Sequence, residues 1–123
     1  MASIFLIDAA AALRTVTAEI LSEAGYTVDE APDGKRARAL YEAGLHDLVI
    51  TDIAMPDMDG LELIISLSRL DPAARLIAIS GNSQFSESLY LPTARQLGVL
   101  AKPIRSEALL ETVARVLALP KTK

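Results

Sequence analysis

Short apolar runs alternate with helical patterns of apolar residues along this chain, and this alternation restricts the fold more than any other feature. Three runs rich in β-branched residues are too short for helices and predict buried strands: residues 4–7, 48–51 and 76–79. Weaker runs of the same kind lie at residues 26–28 and 99–101. Because the strong runs do not alternate apolar with polar residues, helices must cover both faces of the sheet, which predicts parallel strands.

Apolar residues at helical spacing separate these predicted strands. The clearest stripes predict four helices, at residues 13–24, 37–41, 61–70 and 109–117. Asp33 and Ser106 are placed as N-caps of the second and last of these helices, and Gly44 is placed to end the second. Residues 84–97 are the least regular part, where Pro92 predicts a short or kinked helix.

The order of elements is therefore a strand followed by a helix, repeated five times. Parallel strands need right-handed crossovers through the helices, and this requirement leaves few topologies. We predict an α/β fold with a flavodoxin-like, doubly wound sheet of five parallel strands in the order 2-1-3-4-5, with helices on both faces. In this order the first and third strands are neighbours at the centre of the sheet.

Composition sets the size of the protein and excludes several classes of site. The 123 residues make one domain, which we place at residues 1–119, followed by a short tail at residues 120–123. Without cysteine and with one histidine, the chain has no disulfide, thiolate zinc site or His-rich metal site. Its 12 basic and 16 acidic residues give a net charge of −4, so direct binding to nucleic acid or a membrane is not expected. The absence of a signal peptide or a membrane-spanning stretch predicts a cytoplasmic protein.

Polar side chains close four of the five predicted strands. Asp8 follows the first apolar run, Asp52 the third and Ser80 the fourth. Lys102 follows the last run. Each residue alone is an ordinary turn or surface residue, but ligands of open parallel sheets bind outside the carboxyl ends of the strands. The sequence therefore predicts that two carboxylates, a hydroxyl and an ammonium group meet in one crevice.

The two carboxylates indicate the chemistry of this crevice. Neighbouring strands lie about 4.8 Å apart, so Asp8 and Asp52 repel each other unless a cation or a proton lies between them. Two carboxylates and a loop carbonyl are typical ligands of Mg²⁺, which commonly bridges to phosphate. Attack on phosphorus by one carboxylate, with a metal ion and Lys102 neutralising charge, is a coherent scheme for phosphoryl transfer.

Residues 51–63, TDIAMPDMDGLEL, carry a resemblance to a known family. This stretch resembles the phospho-acceptor signature of response regulator receiver domains, in which an acceptor Asp precedes Met-Pro, a turn and Asp-Gly. Residues 100–103, LAKP, are similar to the lysine-proline that ends the family's fifth strand. Residues 77–80 resemble its Ser/Thr strand, and residues 6–8 resemble its first acidic strand. The resemblance extends over essentially the whole chain.

The resemblance implies a role for each of the matching residues. Asp52 accepts a phosphoryl group from a histidine kinase or a histidine phosphotransfer protein, and Lys102 and Ser80 contact that group. Asp8, Asp52 and the backbone carbonyl of Ala54 hold Mg²⁺. A cis peptide bond precedes Pro103. The resemblance further implies a phosphoryl acceptor rather than an enzyme. We expect its output to be protein contact through the fourth and fifth predicted helices.

Ala9 departs from the family pattern. Receiver domains usually carry two adjacent acidic residues after the first strand, and here the second of these positions is Ala9. Loss of this carboxylate is expected to weaken Mg²⁺ binding and to slow phosphoryl transfer. It also leaves an alternative open, in which the chain is a degenerate receiver that acts as an interaction module without phosphorylation.

Three further polar residues have more ordinary interpretations. Asp59 is expected to cap the third helix rather than to bind a metal ion. Asn82 is as well placed for a turn as for contact with a phosphoryl group. His46 is expected to be a surface loop residue and not a ligand or base.

Overall fold

The structure is a computed structural model that describes residues 2–42, 44–53, 60–80 and 97–119. Five strands in these ranges form one sheet: β1 (Ser3–Ile7), β2 (Thr27–Ala31), β3 (Leu48–Asp52), β4 (Leu76–Ser80) and β5 (Leu97–Ala101). All neighbouring strands run parallel. The predicted order 2-1-3-4 is confirmed, and β5 pairs with the outer side of β4.

Four helices lie in the described ranges: α1 (Ala11–Glu23), α2 (Gly34–Leu40), α3 (Gly60–Leu70) and α4 (Ser106–Leu117). The predicted N-cap of α2 is confirmed, because the Asp33 carboxylate accepts a hydrogen bond from the Arg36 amide at 2.7 Å. The predicted N-cap of α4 is wrong, since Ser106 is its first helical residue and Arg105 precedes it without a side-chain cap. α2 also ends at Leu40, well before Gly44.

The helices cover both faces of the sheet, as the apolar strands require. β3 and β4 are buried along their whole length. One core cluster packs α2 and α3 against one face, and a second packs α1 and α4 against the other. Gly98 in β5 permits close packing of α4, because a Cβ atom there would lie 2.8 Å from Val116 Cγ2. Side chains along β1 alternate between the two clusters, so both are built around the centre of the sheet.

The buried face of α1 differs from the stripe that its spacing indicates. The predicted stripe includes Leu13 and Val16, yet their exposed fractions are 53% and 54%. The helix buries Leu21, which belongs to the predicted stripe, together with Thr17 and Ala18, which do not. Thr17 and Leu21 also have helical spacing, so packing against the sheet turned the buried face away from Leu13 and Val16.

Some predictions fall on residues that the structure does not describe. The short helix predicted at residues 84–97 lies outside the described residues, except that Leu97 begins β5. The tail at residues 120–123 also lies outside them. Within the described ranges, no helix combines the length and the apolar character that crossing a membrane requires.

Candidate functional site

Four of the predicted site residues lie at the carboxyl ends of the strands, which we call the site edge of the sheet. Asp52 and Ser80 are the last residues of β3 and β4, while Asp8 and Lys102 directly follow β1 and β5. The register aligns these ends, because Asp52 lies beside Ile79 and Ser80 lies beside Ala101. Parallel pairing thus places the four residues on one edge, as their positions in the sequence predicted.

The Lys102 ammonium group contacts the Asp52 carboxylate directly. The distance from Lys102 Nζ to Asp52 Oδ2 is 2.7 Å. The exposed fraction is 4% for the Asp52 side chain and 31% for that of Lys102, so the amine reaches inward to a buried carboxylate. A hydrogen bond between charged groups is stronger than a neutral one, and partial burial reduces its screening by water. Lys102 therefore balances the charge of Asp52.

The Asp8 carboxylate lies in a less favourable environment. Asp8 is 2% exposed, and its Oδ1 accepts a hydrogen bond from the Ala10 amide at 2.9 Å. Burial raises the pKa of Asp8 above its ordinary value, and the charge of Asp52 raises it further. The Ala10 amide, Lys102 and Arg14 lower that pKa, but they do not outweigh burial. Charge on Asp8 is therefore costly without a further cation.

Ser80 and Pro103 fix the backbone around Lys102. Ser80 is 7% exposed, and its carbonyl oxygen accepts a hydrogen bond from the Lys102 amide at 3.0 Å. The peptide bond between Lys102 and Pro103 is cis, as the family resemblance implied. These contacts set the point from which the Lys102 side chain extends across the site edge to Asp52.

Asp8 and Asp52 suit a hard divalent cation. Both carboxylates are buried, and burial, together with the charge of Asp52, raises the pKa of Asp8, so a cation beside it would favour its charged form. Oxygen ligands in small number are typical of Mg²⁺, which keeps several water molecules. Ala54, expected to contribute a carbonyl oxygen, lies outside the described residues. Among the residues that are described, no cluster of three or more acidic, histidine or cysteine side chains could hold a metal ion.

Sequence reasoning did not single out Arg14, which lies against the site edge. Its Nη1 donates to the Asp8 carbonyl oxygen at 2.5 Å, and its Nε donates to Glu30 Oε1 at 3.1 Å. A signal for this residue exists in the sequence. Arg14 is the first polar side chain after Asp8, since four alanines and a leucine lie between them.

An apolar groove adjoins the site edge. It has a volume of about 440 Å³ and runs between α1 and the segment after β5. Its lining combines apolar side chains with two site residues: Asp8, Leu13, Val16, Thr17, Ile20, Lys102, Pro103 and Ile104. The apolar residues that α1 leaves exposed therefore continue directly into the charged site.

His46 is not the surface residue that the sequence indicated. The exposed fraction of its side chain is 5%, and its Nε2 lies 2.8 Å from Asp29 Oδ2. Its ring stacks on Phe5 with 4.9 Å between the ring centroids. His46 precedes β3, at the opposite edge of the sheet from Asp52. The two other polar residues considered, Asp59 and Asn82, lie outside the described residues.

Comparison with known proteins agrees with this geometry. A model of the response regulator receiver domain matches residues 4–114 of the chain. The chemotaxis protein CheY of Thermotoga maritima is 30% identical over 114 residues, which cover 92% of this chain and 95% of that protein. The sensor kinase CckA of Brucella abortus is 33% identical over 94% of this chain, but the chain spans only 12% of that protein.

Solved structures give the same result. The response regulator TrrA of Thermotoga maritima, solved in complex with Mg²⁺ and BeF, has a TM-score of 0.84 at 29% identity, covering 94% of this chain and 99% of that one. CheY4 of Vibrio cholerae also has a TM-score of 0.84, at 27% identity, covering 94% of this chain and 98% of that one. The match of the family model over most of the chain establishes the relationship. The chain belongs to the response regulator receiver domain family of two-component signalling proteins.

Proposed function

We propose that this receiver domain accepts a phosphoryl group on Asp52 from a phosphohistidine of a histidine kinase or a histidine phosphotransfer protein. The observation that carries this proposal is the 2.7 Å contact between Lys102 Nζ and Asp52 Oδ2, made beside the buried carboxylate of Asp8. A buried carboxylate with an adjacent ammonium group and a second carboxylate suits attack on phosphorus better than a structural ion pair, which needs no second acid.

The transfer proceeds by exchange of one bond for another. An Asp52 carboxylate oxygen forms a bond to phosphorus while the bond from phosphorus to the donor imidazole nitrogen breaks. The electron pair of the broken bond stays on that nitrogen, which takes a proton from solvent. Lys102 then pairs with the phosphoryl oxygens, and the Ser80 hydroxyl donates a hydrogen bond to them. The chain is thus an acceptor rather than an enzyme with a separate substrate.

Asp8, Asp52 and the Ala54 backbone carbonyl are the groups that would hold Mg²⁺. When bound, the ion supplies positive charge that offsets the charge of the phosphoryl oxygens. The similar structure of TrrA, solved in complex with Mg²⁺ and BeF, supports a Mg²⁺ site in a receiver domain of this kind. Because Ala9 contributes no carboxylate, we expect the ion to bind weakly.

The apolar groove suits the protein that donates the phosphoryl group. A donor histidine must come within bonding distance of Asp52, so the surface around that histidine lies over the site edge. Lys102 and Asp8 line the groove together with the exposed side chains of Leu13 and Val16 on α1. Burial of these two side chains by an apolar face of the donor would stabilise the encounter by roughly 2–4 kcal/mol.

The remaining assignments complete the proposal. Receiver domains interact with histidine kinases and with downstream effectors. We assign residues 1–119 to the domain and 120–123 to a tail, and we place the protein in the cytoplasm. Output is assigned to protein contact through α4 and the helix predicted at residues 84–97, and not to direct binding of nucleic acid or of a membrane.

Labelling with a small phosphodonor tests the acceptor assignment. In the presence of Mg²⁺, the protein is expected to gain one hydroxylamine-labile phosphate, detected by intact-mass spectrometry, and Asp52→Asn is expected to abolish it. Asp33→Asn is a matched control, because it removes an acid while asparagine still caps α2. Labelling that persists in Asp52→Asn would move the acceptor to another residue.

The same measurement separates the proposal from the alternative that Ala9 motivates. If the chain is a degenerate receiver that acts only as an interaction module, Asp52 stays unmodified even at millimolar Mg²⁺. If it is a competent acceptor with weak metal binding, labelling increases with Mg²⁺ over the millimolar range. The presence of Lys102 against Asp52 favours the competent acceptor.

A further inference from the structure

Arg14 joins three elements at the site edge. It lies in the first turn of α1, and its guanidinium group donates to the carbonyl oxygen of Asp8 and to the carboxylate of Glu30 near the end of β2. Its side chain is only 17% exposed, against 42% for Glu30. The planar guanidinium group can make both contacts at once because its donors point in fixed directions.

Apart from the Asp8 amide, which donates to the Ala31 carbonyl oxygen at 3.2 Å, the connection from β1 to α1 has few groups to hold it. Residues 9–12 are all alanine, and Leu13 follows, so their side chains offer no hydrogen-bonding group. The N-cap of α1, Ala10, makes no side-chain hydrogen bond. Its amide instead donates to Asp8 Oδ1 at 2.9 Å. The position of the Asp8 carboxylate therefore depends on where this alanine connection lies, and Arg14 fixes that connection at the Asp8 carbonyl.

We propose that Arg14, oriented by Glu30, is a positioning residue that holds the Asp8 carboxylate beside Asp52 in the geometry that a divalent cation requires. This inference rests on the proposed function, because the cation matters through phosphoryl transfer to Asp52. Arg14 contacts the backbone of Asp8 rather than the reacting atoms, so it acts through Asp8. In a chain with Ala9, the Asp8 carboxylate carries more of the metal site, and its orientation matters more.

Two effects of Arg14 on Mg²⁺ binding have opposite signs. As a nearby positive charge, Arg14 repels the cation and lowers the pKa of Asp8. As a clamp, it favours the cation by holding its ligand in place. Arg14→Gln removes both effects, whereas Arg14→Lys keeps the charge and loses the two-pronged contact. The pair of variants therefore separates positioning from electrostatics.

A Mg²⁺ titration followed by backbone amide NMR shifts measures the first consequence. We expect both Arg14→Lys and Arg14→Gln to weaken Mg²⁺ binding by roughly tenfold, the typical effect of losing a group that orients a metal ligand. Glu30→Gln is expected to weaken it in the same direction by a smaller factor. Arg115→Gln, in the last turn of α4, is the matched control and is expected to bind as wild type. Wild-type affinity in Arg14→Lys together with tighter binding in Arg14→Gln would overturn the proposal.

Amide hydrogen exchange in the metal-free protein measures the second consequence. If Arg14 holds the connection, the Ala10 amide exchanges at least about fivefold faster in both Arg14 variants, because its bond to Asp8 opens more often. The Ala18 amide, in the middle of the same helix, is expected to keep its wild-type rate, which shows that the variants are folded. An unchanged exchange rate of the Ala10 amide would exclude the positioning role of Arg14. This outcome is distinct from failure of the proposed function, which would appear as no labelling of Asp52 in the wild-type protein.

Discussion

The two edges of the sheet hold similar acidic side chains under opposite electrostatic conditions. At the edge opposite the site, Asp47 accepts a hydrogen bond from the Ser3 amide at 2.8 Å, and Asp71 accepts one from the Tyr41 hydroxyl at 3.1 Å. Both of these acids have a neutral donor. At the site edge, Asp8 and Asp52 are both buried, and burial followed by the charge of Asp52 raises the pKa of Asp8.

Other contacts of the opposite edge also join distant parts of the chain. His46 bridges to Asp29, and the Arg75 guanidinium group donates to the carbonyl oxygen of Leu119, two residues after α4. These bonds hold loops to strands and a helix to the sheet. The comparison teaches that partly exposed acids with local donors stabilise the fold. Two fully buried neighbouring acids, of which only Asp52 contacts an ammonium group, instead favour a bound cation.

Ala9→Asp is expected to give the largest change, because it adds a negative charge beside the two buried acids of the site edge. A third carboxylate at the site edge should tighten Mg²⁺ binding by roughly tenfold. The same charge should lower the melting temperature of the metal-free protein, because it adds to the repulsion around Asp8. Thermal melting with and without Mg²⁺, together with a Mg²⁺ titration, measures both effects.

Ala12→Asp is the control for this variant. It adds the same charge in the first turn of α1, where an acid interacts favourably with the helix dipole, and not next to Asp8. A smaller gain in Mg²⁺ affinity is expected for it than for Ala9→Asp. Equal gains in the two variants would mean that Mg²⁺ responds to the net charge of the region and not to a ligand at position 9.

Asp8→Asn is expected to stabilise the metal-free protein at neutral pH. The pKa of Asp8 is raised in the folded protein, so the folded state holds the proton more tightly than the unfolded state does. Stability from this group is therefore present at low pH and is lost as the pH rises from the unfolded pKa, 3.8, through the folded one. Thermal melts without metal from about pH 4 to about pH 7 should show an advantage of Asp8→Asn that grows with pH.

The opposite edge supplies the contrast for that experiment. Asp47→Asn is expected to lower the melting temperature, because it weakens the acceptor of the Ser3 amide and hydroxyl. A higher melting temperature for Asp8→Asn and a lower one for Asp47→Asn at neutral pH would confirm the difference between the two edges. A loss of stability in Asp8→Asn would mean that its hydrogen bond to the Ala10 amide outweighs the cost of burying its charge.

The sequence predicted the positions of the strand ends better than the buried faces of the helices. Strand ends can be located from apolar runs, and parallel pairing brings them together, so Asp52, Ser80 and Lys102 could be placed on one edge in advance. The buried face of α1 could not be predicted in this way, because Leu13 and Thr17 both belong to stripes of helical spacing. Which stripe faces the sheet depends on how the whole helix packs.

Contacts between distant residues account for the other failures. His46 is buried by stacking on Phe5 and by pairing with Asp29, and no local pattern links these positions. Arg14 and Glu30 are likewise on different elements and meet only because β2 pairs with β1. Such pairings depend on the register of the sheet, which apolar runs locate to within a residue or two but do not fix.

Tyr41→Phe gives the smallest expected effect and tests whether the edges are independent. Burial and the charge of Asp71 raise the pKa of Tyr41, so its hydroxyl stays a donor throughout the working range of pH. Removal of this one hydrogen bond should cost about 1 kcal/mol of unfolding free energy and lower the melting temperature by a few degrees. Tyr26→Phe, whose ring packs against the other core cluster, controls for loss of a hydroxyl.

Because Asp71 and Asp52 lie at opposite edges, phosphodonor labelling of Asp52 in Tyr41→Phe and its dependence on Mg²⁺ should not change. A change in the labelling or in its dependence on Mg²⁺ would show that contacts at the opposite edge also set the geometry of the site edge.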